Sequence, residues 1–201
     1  MLKSEDNPLM SSFARHLAAV VSWIGHPLVF VTATVAIVVA TQLSARMAFA
    51  ILAVLLLSVI GPTAVLLILG VRSGRWQDAD VSVQDERRRF YPVAIPLSAF
   101  GTVMTWWIGA PTYILRGGIV TLSLLIIAAL ANHRSKISLH TLFAAFCTAL
   151  LFRLSPIYGS AAFLLAALIF WSRLFLRRHT FTETISGLIL GVAGGIVAAW
   201  L

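Results

Sequence analysis

Only one cysteine, Cys147, occurs in 201 residues, and it sits inside an apolar run. A disulfide framework and a thiolate metal site are therefore both excluded within one chain. Charge is scarce as well. Asp, Glu, Lys and Arg make up 11% of the residues, against about a quarter in a soluble domain. The net charge of +8 is carried by short connections, with no basic helix and no basic stripe studded with aromatics. That absence argues against RNA or DNA as a partner. The first twelve residues carry Lys3, Glu5 and Asp6 but lack the apolar core and small-residue cleavage site of a signal peptide. The first span is expected to act as the targeting signal. Internal repeats and charges deep within a span are also missing, which disfavours a transporter or channel.

What remains is apolar. Hydrophobic residues form 60% of the chain and the mean hydropathy is +0.96. Runs approaching the ~20 apolar residues needed to cross a bilayer recur at 17–41, 47–71, 93–110, 117–131, 139–152, 156–171 and 184–201. The pattern predicts an all-α polytopic transmembrane bundle of six or seven spans. Residues 1–16 form an N-terminal cytoplasmic segment and 17–201 a single membrane-embedded domain. The first run is interrupted by Gly25, His26 and Pro27, where a break into an interfacial piece and a span is expected. Alternation of sides puts twelve Lys and Arg residues on the face of the N-terminus and 72–92, 132–138 and 172–183. Only Arg46, Arg116 and Arg153 fall on the other. By the positive-inside rule the first face is cytoplasmic.

Every segment with chemical promise lies on that face. Ser172, Arg173, His179 and Glu183 fall within twelve residues. His179 and Glu183 are four apart, the spacing at which two helical side chains meet. A carboxylate there fixes one ring nitrogen and frees the other for attack or proton transfer. Arg173 offers a planar fork suited to phosphate oxygens. A second segment contains Lys136, Ser138 and His140 at the start of a span. Ser138 is placed to cap that helix, whose free N–H groups favour an anion, and His140 falls in its first turn. The third runs from Asp85 through Arg87, Arg88 and Arg89 to Pro92, read as the first turn of the next helix.

Together these segments resemble the type 2 phosphatidic acid phosphatase superfamily of membrane lipid phosphatases, and a small bacterial branch of it. The likeness covers roughly residues 85–191. Its third motif, Ser-Arg-x5-His-x3-Asp, matches Ser172, Arg173 and His179, with Glu183 where Asp is usual. Its Ser-x-His motif matches Ser138 and His140, with Leu139 where Gly is common. The first motif is looser, with Ser82 where a Lys is usual. The resemblance implies a multi-pass protein of the bacterial inner (cytoplasmic) membrane that hydrolyses a lipid phosphate or pyrophosphate, polyprenyl or glycerolipid, with no cofactor and no metal. It implies that His179 attacks phosphorus to give a phosphohistidine and that Glu183 fixes its tautomer. It also implies that Arg173, Arg89, Ser138, Lys136 and Ser172 bind phosphate oxygens. His140 then protonates the leaving oxygen and activates the water.

Plainer readings stand beside these. Arg87 and Arg88 suit a headgroup anchor as well as a ligand role, and Arg177 and Arg178 read as snorkelling or topology residues. His26 reads as structural, His16 and His133 as loop residues. Asp78 and Asp80 read as a solvated loop. Their rival use is to hold Mg²⁺ in a membrane prenyl or phospho-alcohol transferase, a class that needs a second Asp-rich motif absent here. Gly187, Gly191 and Gly195 recur every four residues, a stripe that permits close helix packing. Holding the last helix against the bundle is its main expected use, with a homodimer through the same glycines the minor alternative.

Overall fold

A computed structural model describes residues 8–200, with side chains from Ser12 to Ala199. Lys3, Glu5 and Asp6, with the rest of residues 1–7 of the predicted N-terminal segment, lie outside the described residues. Among those described, all regular structure is helical: α1 (Pro8–Ile24), α2 (Pro27–Gln42), α3 (Ala45–Leu55), α4 (Gly61–Arg72), α5 (Gln84–Trp107), α6 (Thr112–Ala131), α7 (Leu139–Leu154), α8 (Pro156–Phe175) and α9 (Phe181–Trp200). A π turn, Leu56–Ile60, joins α3 to α4 in one continuous 28-residue helix.

All seven apolar runs are helical, but they do not have equal claims to cross a membrane. Four helices are long and apolar enough: Ala45–Arg72, Thr112–Ala131, Pro156–Phe175 and Phe181–Ala199. The α1–α2 pair is a fifth candidate, bent by 53° at the predicted Gly25–Pro27 break. By these criteria the expected six or seven spans reduce to four or five. Helix α7 has only 16 residues, eleven of them buried. Helix α5 is long, but all of its first six residues are charged or amide, and it contains two internal prolines.

Helix α7 is the axis of the bundle, with α8 and α9 packed on it and α2 alongside. The glycine stripe explains the closeness of α9. A Cβ on Gly187 would stand 2.5 Å from the Ser138 carbonyl oxygen, and one on Gly191 2.1 Å from that of Leu142. The stripe is buried inside the chain, against α7. This contact carries the start of α9 to the start of α7, which brings the sequence motifs together. Large apolar side chains such as Phe49, Leu57, Ile119, Leu164 and Ile189 are more than half exposed around the outside. A belt of that kind suits lipid rather than water.

Candidate active site

Three connections converge at one end of the bundle: 73–83, 132–138 and 176–180. The start of α5 is tied to the end of α6 by a reciprocal pair. Gln84 Nε2 donates to the Asn132 carbonyl at 2.7 Å, and Asn132 Nδ2 donates to the Gln84 carbonyl at 3.0 Å. Lys136 Nζ closes the ring, donating to the carbonyls of Ser82 (3.0 Å) and Arg178 (3.2 Å).

His179 and Glu183 meet as expected, though not on one helical face. Helix α8 ends at Phe175, and Arg177 takes a left-handed backbone (φ 53°) that reverses the chain. Thr180 and Glu183 then form a capping box at the start of α9. The Glu183 N–H donates to Thr180 Oγ1 (3.3 Å), and the Thr180 N–H donates to Glu183 Oε2 (3.2 Å). The same Oε2 lies 2.8 Å from His179 Nδ1 and 3.9 Å from Lys136 Nζ. Glu183 thus serves helix start and imidazole at once, which suits its longer side chain over Asp. With Nδ1–H donating to the carboxylate, the lone pair of Nε2 faces the site.

That nitrogen faces a guanidinium, but not the expected one. Arg87 Nη2 is 3.4 Å from His179 Nε2, while Arg87 Nε and Nη1 donate to the carbonyls of Val81 (2.8 Å) and Ile137 (2.5 Å). Arg89, the predicted ligand, is exposed. The correction follows from where α5 begins. It starts at Gln84, so Pro92 lies well inside the helix rather than in its first turn. Two residues along a helix turn it by about 200°, so Arg87 and Arg89 face opposite ways. Arg87 is in phase with the buried Tyr91, Ala94 and Ser98, and that phase was the signal available in the sequence.

Arg173 is the most enclosed cation of the site, with no exposed surface. Its Nη1 donates to Asp80 Oδ2 and to Ser22 Oγ, each at 2.6 Å. Its Nε and Nη2 make no hydrogen bond to the protein, and neither do Ser138 Oγ and His140 Nε2. Ser138 holds the N-cap position of α7 but makes no side-chain capping bond, so its hydroxyl stays available. Its N–H donates to the Glu183 carbonyl at 3.1 Å, joining the second and third motifs. Ser172 is buried and donates to the Ile169 carbonyl at 2.8 Å. It is therefore part of the α8 framework rather than a ligand.

Sequence reasoning missed two participants. Asp80 is not in a solvated loop. Besides Arg173, its Oδ1 lies 3.5 Å from His140 Nε2. Asp78 similarly engages Arg178 and the Ser82 hydroxyl. Directly after Asp80, Val81, a β-branched residue, is held at φ 47°. A left-handed Val costs of order 1–3 kcal/mol and persists only where its surroundings impose it. Here Asp78, Arg87 and Arg173 do so. The second participant is His26, at the α1–α2 break, whose ring lies edge-on to His140 at 5.5 Å between centroids.

The electrostatics favour a neutral nucleophile. Burial, and then the positive charges of Arg87, Arg173, Lys136 and His140, push the pKa of His179 from 6.5 down to about 2. Burial also lowers Lys136, against the pull of Glu183. The site thus joins a neutral imidazole with a fixed tautomer, buried guanidinium N–H groups that have no protein partner, an unpartnered hydroxyl and a second imidazole. Such a set can receive an oxyanion and attack its central atom. Compared with protein-family models, curated proteins and solved structures, the chain has no match.

Proposed function

We propose that this protein is a membrane lipid phosphatase that works through a phosphohistidine. The observation carrying the reading is the pair of unpartnered Arg173 N–H groups, in a buried site beside the His179–Glu183 pair. An enclosed guanidinium needs acceptors, and phosphate oxygens supply them in the planar geometry that Arg prefers.

In this mechanism, phosphate oxygens rest on Arg173 Nε and Nη2, Arg87 Nη2, Ser138 Oγ and the free N–H groups of the first turn of α7. The His179 Nε2 lone pair attacks phosphorus, and the P–O bond to the lipid breaks. Protonated His140 gives its proton to the leaving oxygen, which departs as an alcohol, or as a phosphate where the substrate is a diphosphate. Neutral His140 then takes a proton from water, the water oxygen attacks phosphorus, and the P–N bond breaks to release inorganic phosphate and His179. The Glu183 carboxylate offsets the positive charge that develops on the imidazole. The cationic charge comes from arginines, so turnover is expected to persist in EDTA. The transferase alternative loses its motivating feature, because Asp78 and Asp80 are engaged by Arg178 and Arg173.

In this reading α5 and α7 also cross the bilayer, enclosed by the other helices, to give six or seven passes. The Arg-rich site then lies on the cytoplasmic face. Helix α1 exposes Phe13, Leu17 and Val20 as one stripe, which suits a helix resting in the interface beside the site. The deciding experiment is phosphate release from lipid phosphates by the purified protein, with His179→Ala as the comparison. Near-normal release by that variant would falsify the covalent mechanism.

A further inference from the structure

Two cavities lie in line inside the bundle. The smaller, about 120 Å³, has His26, Asp80, Arg87 and His140 at one end and is otherwise walled by apolar side chains such as Leu67, Phe90 and Phe143. The larger, about 390 Å³, reaches Gln42, Tyr113, Arg116 and Arg153 at the far face. They share walls: Val31, Val59, Ile60, Ser98 and Thr121 line both. The two cavities therefore adjoin, one bordering the candidate site and the other extending through the core, and together they form a lumen. From His140 to Arg153 along α7 is thirteen residues, or about 20 Å at the helical rise.

The lining is more apolar than its composition. Thr102 donates its hydroxyl to the Ser98 carbonyl (2.9 Å) and Thr105 to that of Thr102 (2.8 Å), so each satisfies its polar atom within α5. The π turn places Val59 and Ile60 where the two cavities join, and π turns occur frequently at functional positions. A Cβ on Gly117 would meet nothing within 4 Å, so the backbone of α6 borders open space there. Protein interiors are close-packed. A lumen of 390 Å³ falls in the size range of ligand sites.

We infer that this lumen receives the hydrocarbon chain of the substrate, which makes the substrate a lipid phosphate with a single long chain. The inference rests on the phosphatase reading for the headgroup, and on continuity with that site for the tail. The cavity beside the site holds only about 120 Å³, room for one chain rather than two side by side. The second chain of a diacyl lipid would then lie outside this cavity.

The test uses the full-length protein in nanodiscs and a hexadecyl phosphate carrying a photoreactive diazirine near its chain end. Crosslinks are expected on peptides lining the larger cavity, around Val38, Gly117 and Leu150. Crosslinks confined to outward-facing residues such as Phe49, Leu57 and Ile126 overturn the inference. This readout needs no turnover, so it is independent of phosphate release from water-soluble butyl phosphate, which scores the phosphatase reading itself. A second arm narrows the lumen with Gly117→Phe. The ratio of kcat/KM for hexadecyl over butyl phosphate is expected to fall at least tenfold, and an unchanged ratio counts against the inference. In a third arm, hexadecyl phosphate should protect the lumen from crosslinking at lower concentration than a diacylglycerol phosphate. Equal protection would remove the single-chain assignment.

Discussion

Asp80 Oδ2 lies 2.6 Å from Nη1 of Arg173, a guanidinium with no exposed surface, across 93 residues of sequence. The carboxylate occupies one edge of the fork and leaves Nε and Nη2 for another acceptor. Its other oxygen stands 3.5 Å from His140 Nε2. Asp80 thus sits between the anion clamp and the proposed acid, and its negative charge both steadies His140 and opposes a bound phosphate.

Replacing Asp80 by Asn separates those two effects. Orthophosphate should inhibit the variant several-fold more strongly, because the repulsion is gone. The value of kcat should fall about tenfold or more, because His140 loses its ionic partner. Steady-state kinetics with product inhibition measure both. Movement of neither quantity would reduce Asp80 to a structural tie.

Arg87 and Arg89 provide the sharpest contrast in one helix. Arg87→Ala removes a buried cation within reach of His179 and two carbonyl contacts, and should lower kcat/KM at least 10²-fold. Arg89→Ala touches an exposed side chain and should stay within about twofold. The reverse ranking in a phosphate-release assay would return the ligand role to Arg89.

How much of this was legible follows from the same helix. The residue types, the spacing of Ser172–Glu183 and the convergence of three segments on one face can be read from the chain, because local spacing and apolar runs determine them. The helix phase at Arg87 was obscured by Pro92, which suggested a helix start where α5 in fact continues. Asp80 was invisible for a different reason. Its partner is 93 residues away, and a carboxylate in a polar loop gives no local sign that tertiary packing will enclose it. Glu183 was placed correctly beside His179, but by a capping box with Thr180 and not by a shared helical face. The span count was legible only in part: length and apolar content identify four or five candidate spans, whereas the short α7 is enclosed by its neighbours and shows little lipid-facing apolar surface.

Glu183→Gln tests the carboxylate without dismantling the cap, since Gln also completes a capping box. Thermal stability in detergent should change by no more than about 1 kcal/mol. Turnover should drop about 10²-fold or more, because the imidazole loses the charge that stabilises its cationic form. Thr180→Ala is the complementary variant. It should cost about 1 kcal/mol of stability through the lost cap, with a smaller effect on turnover.

The low pKa of His179 fixes the sign of a pH effect. The unfolded chain takes up a proton on this residue near pH 6.5, whereas the folded chain resists until about pH 2. Between those values the unfolded state binds more protons, so stability is fully present above pH 6.5 and is lost as pH falls. The slope from this residue is at most ~1.4 kcal/mol per pH unit. Melting curves from pH 7 to 5 should show a steeper loss for the wild type than for His179→Gln. Parallel curves would mean that His179 is as easily protonated folded as unfolded.

The glycine stripe couples the packing of α9 to the chemistry at its start. Gly191 lies where a Cβ would stand 2.1 Å from the Leu142 carbonyl oxygen and 2.9 Å from the Ala145 Cβ. Both obstacles belong to α7 itself and neither is a flexible side-chain end, so Gly191→Ala must push the two helices apart. The start of α9 is bonded to α7 through the Ser138 N–H on the Glu183 carbonyl (3.1 Å) and Thr141 Oγ1 on the Thr184 carbonyl (3.0 Å). Separation of the helices therefore moves Glu183 and His179 relative to Ser138 and His140, and misplacement by about 1 Å is enough to cost roughly 10²-fold in rate. Val192→Ala is the control, because that side chain lies on the exposed side of α9. The expectation is a large fall in kcat for Gly191→Ala with its helical circular dichroism intact, against near-normal turnover for Val192→Ala. Equal activities would show that α9 tolerates the displacement and that its close contact with α7 does not set the geometry of the site.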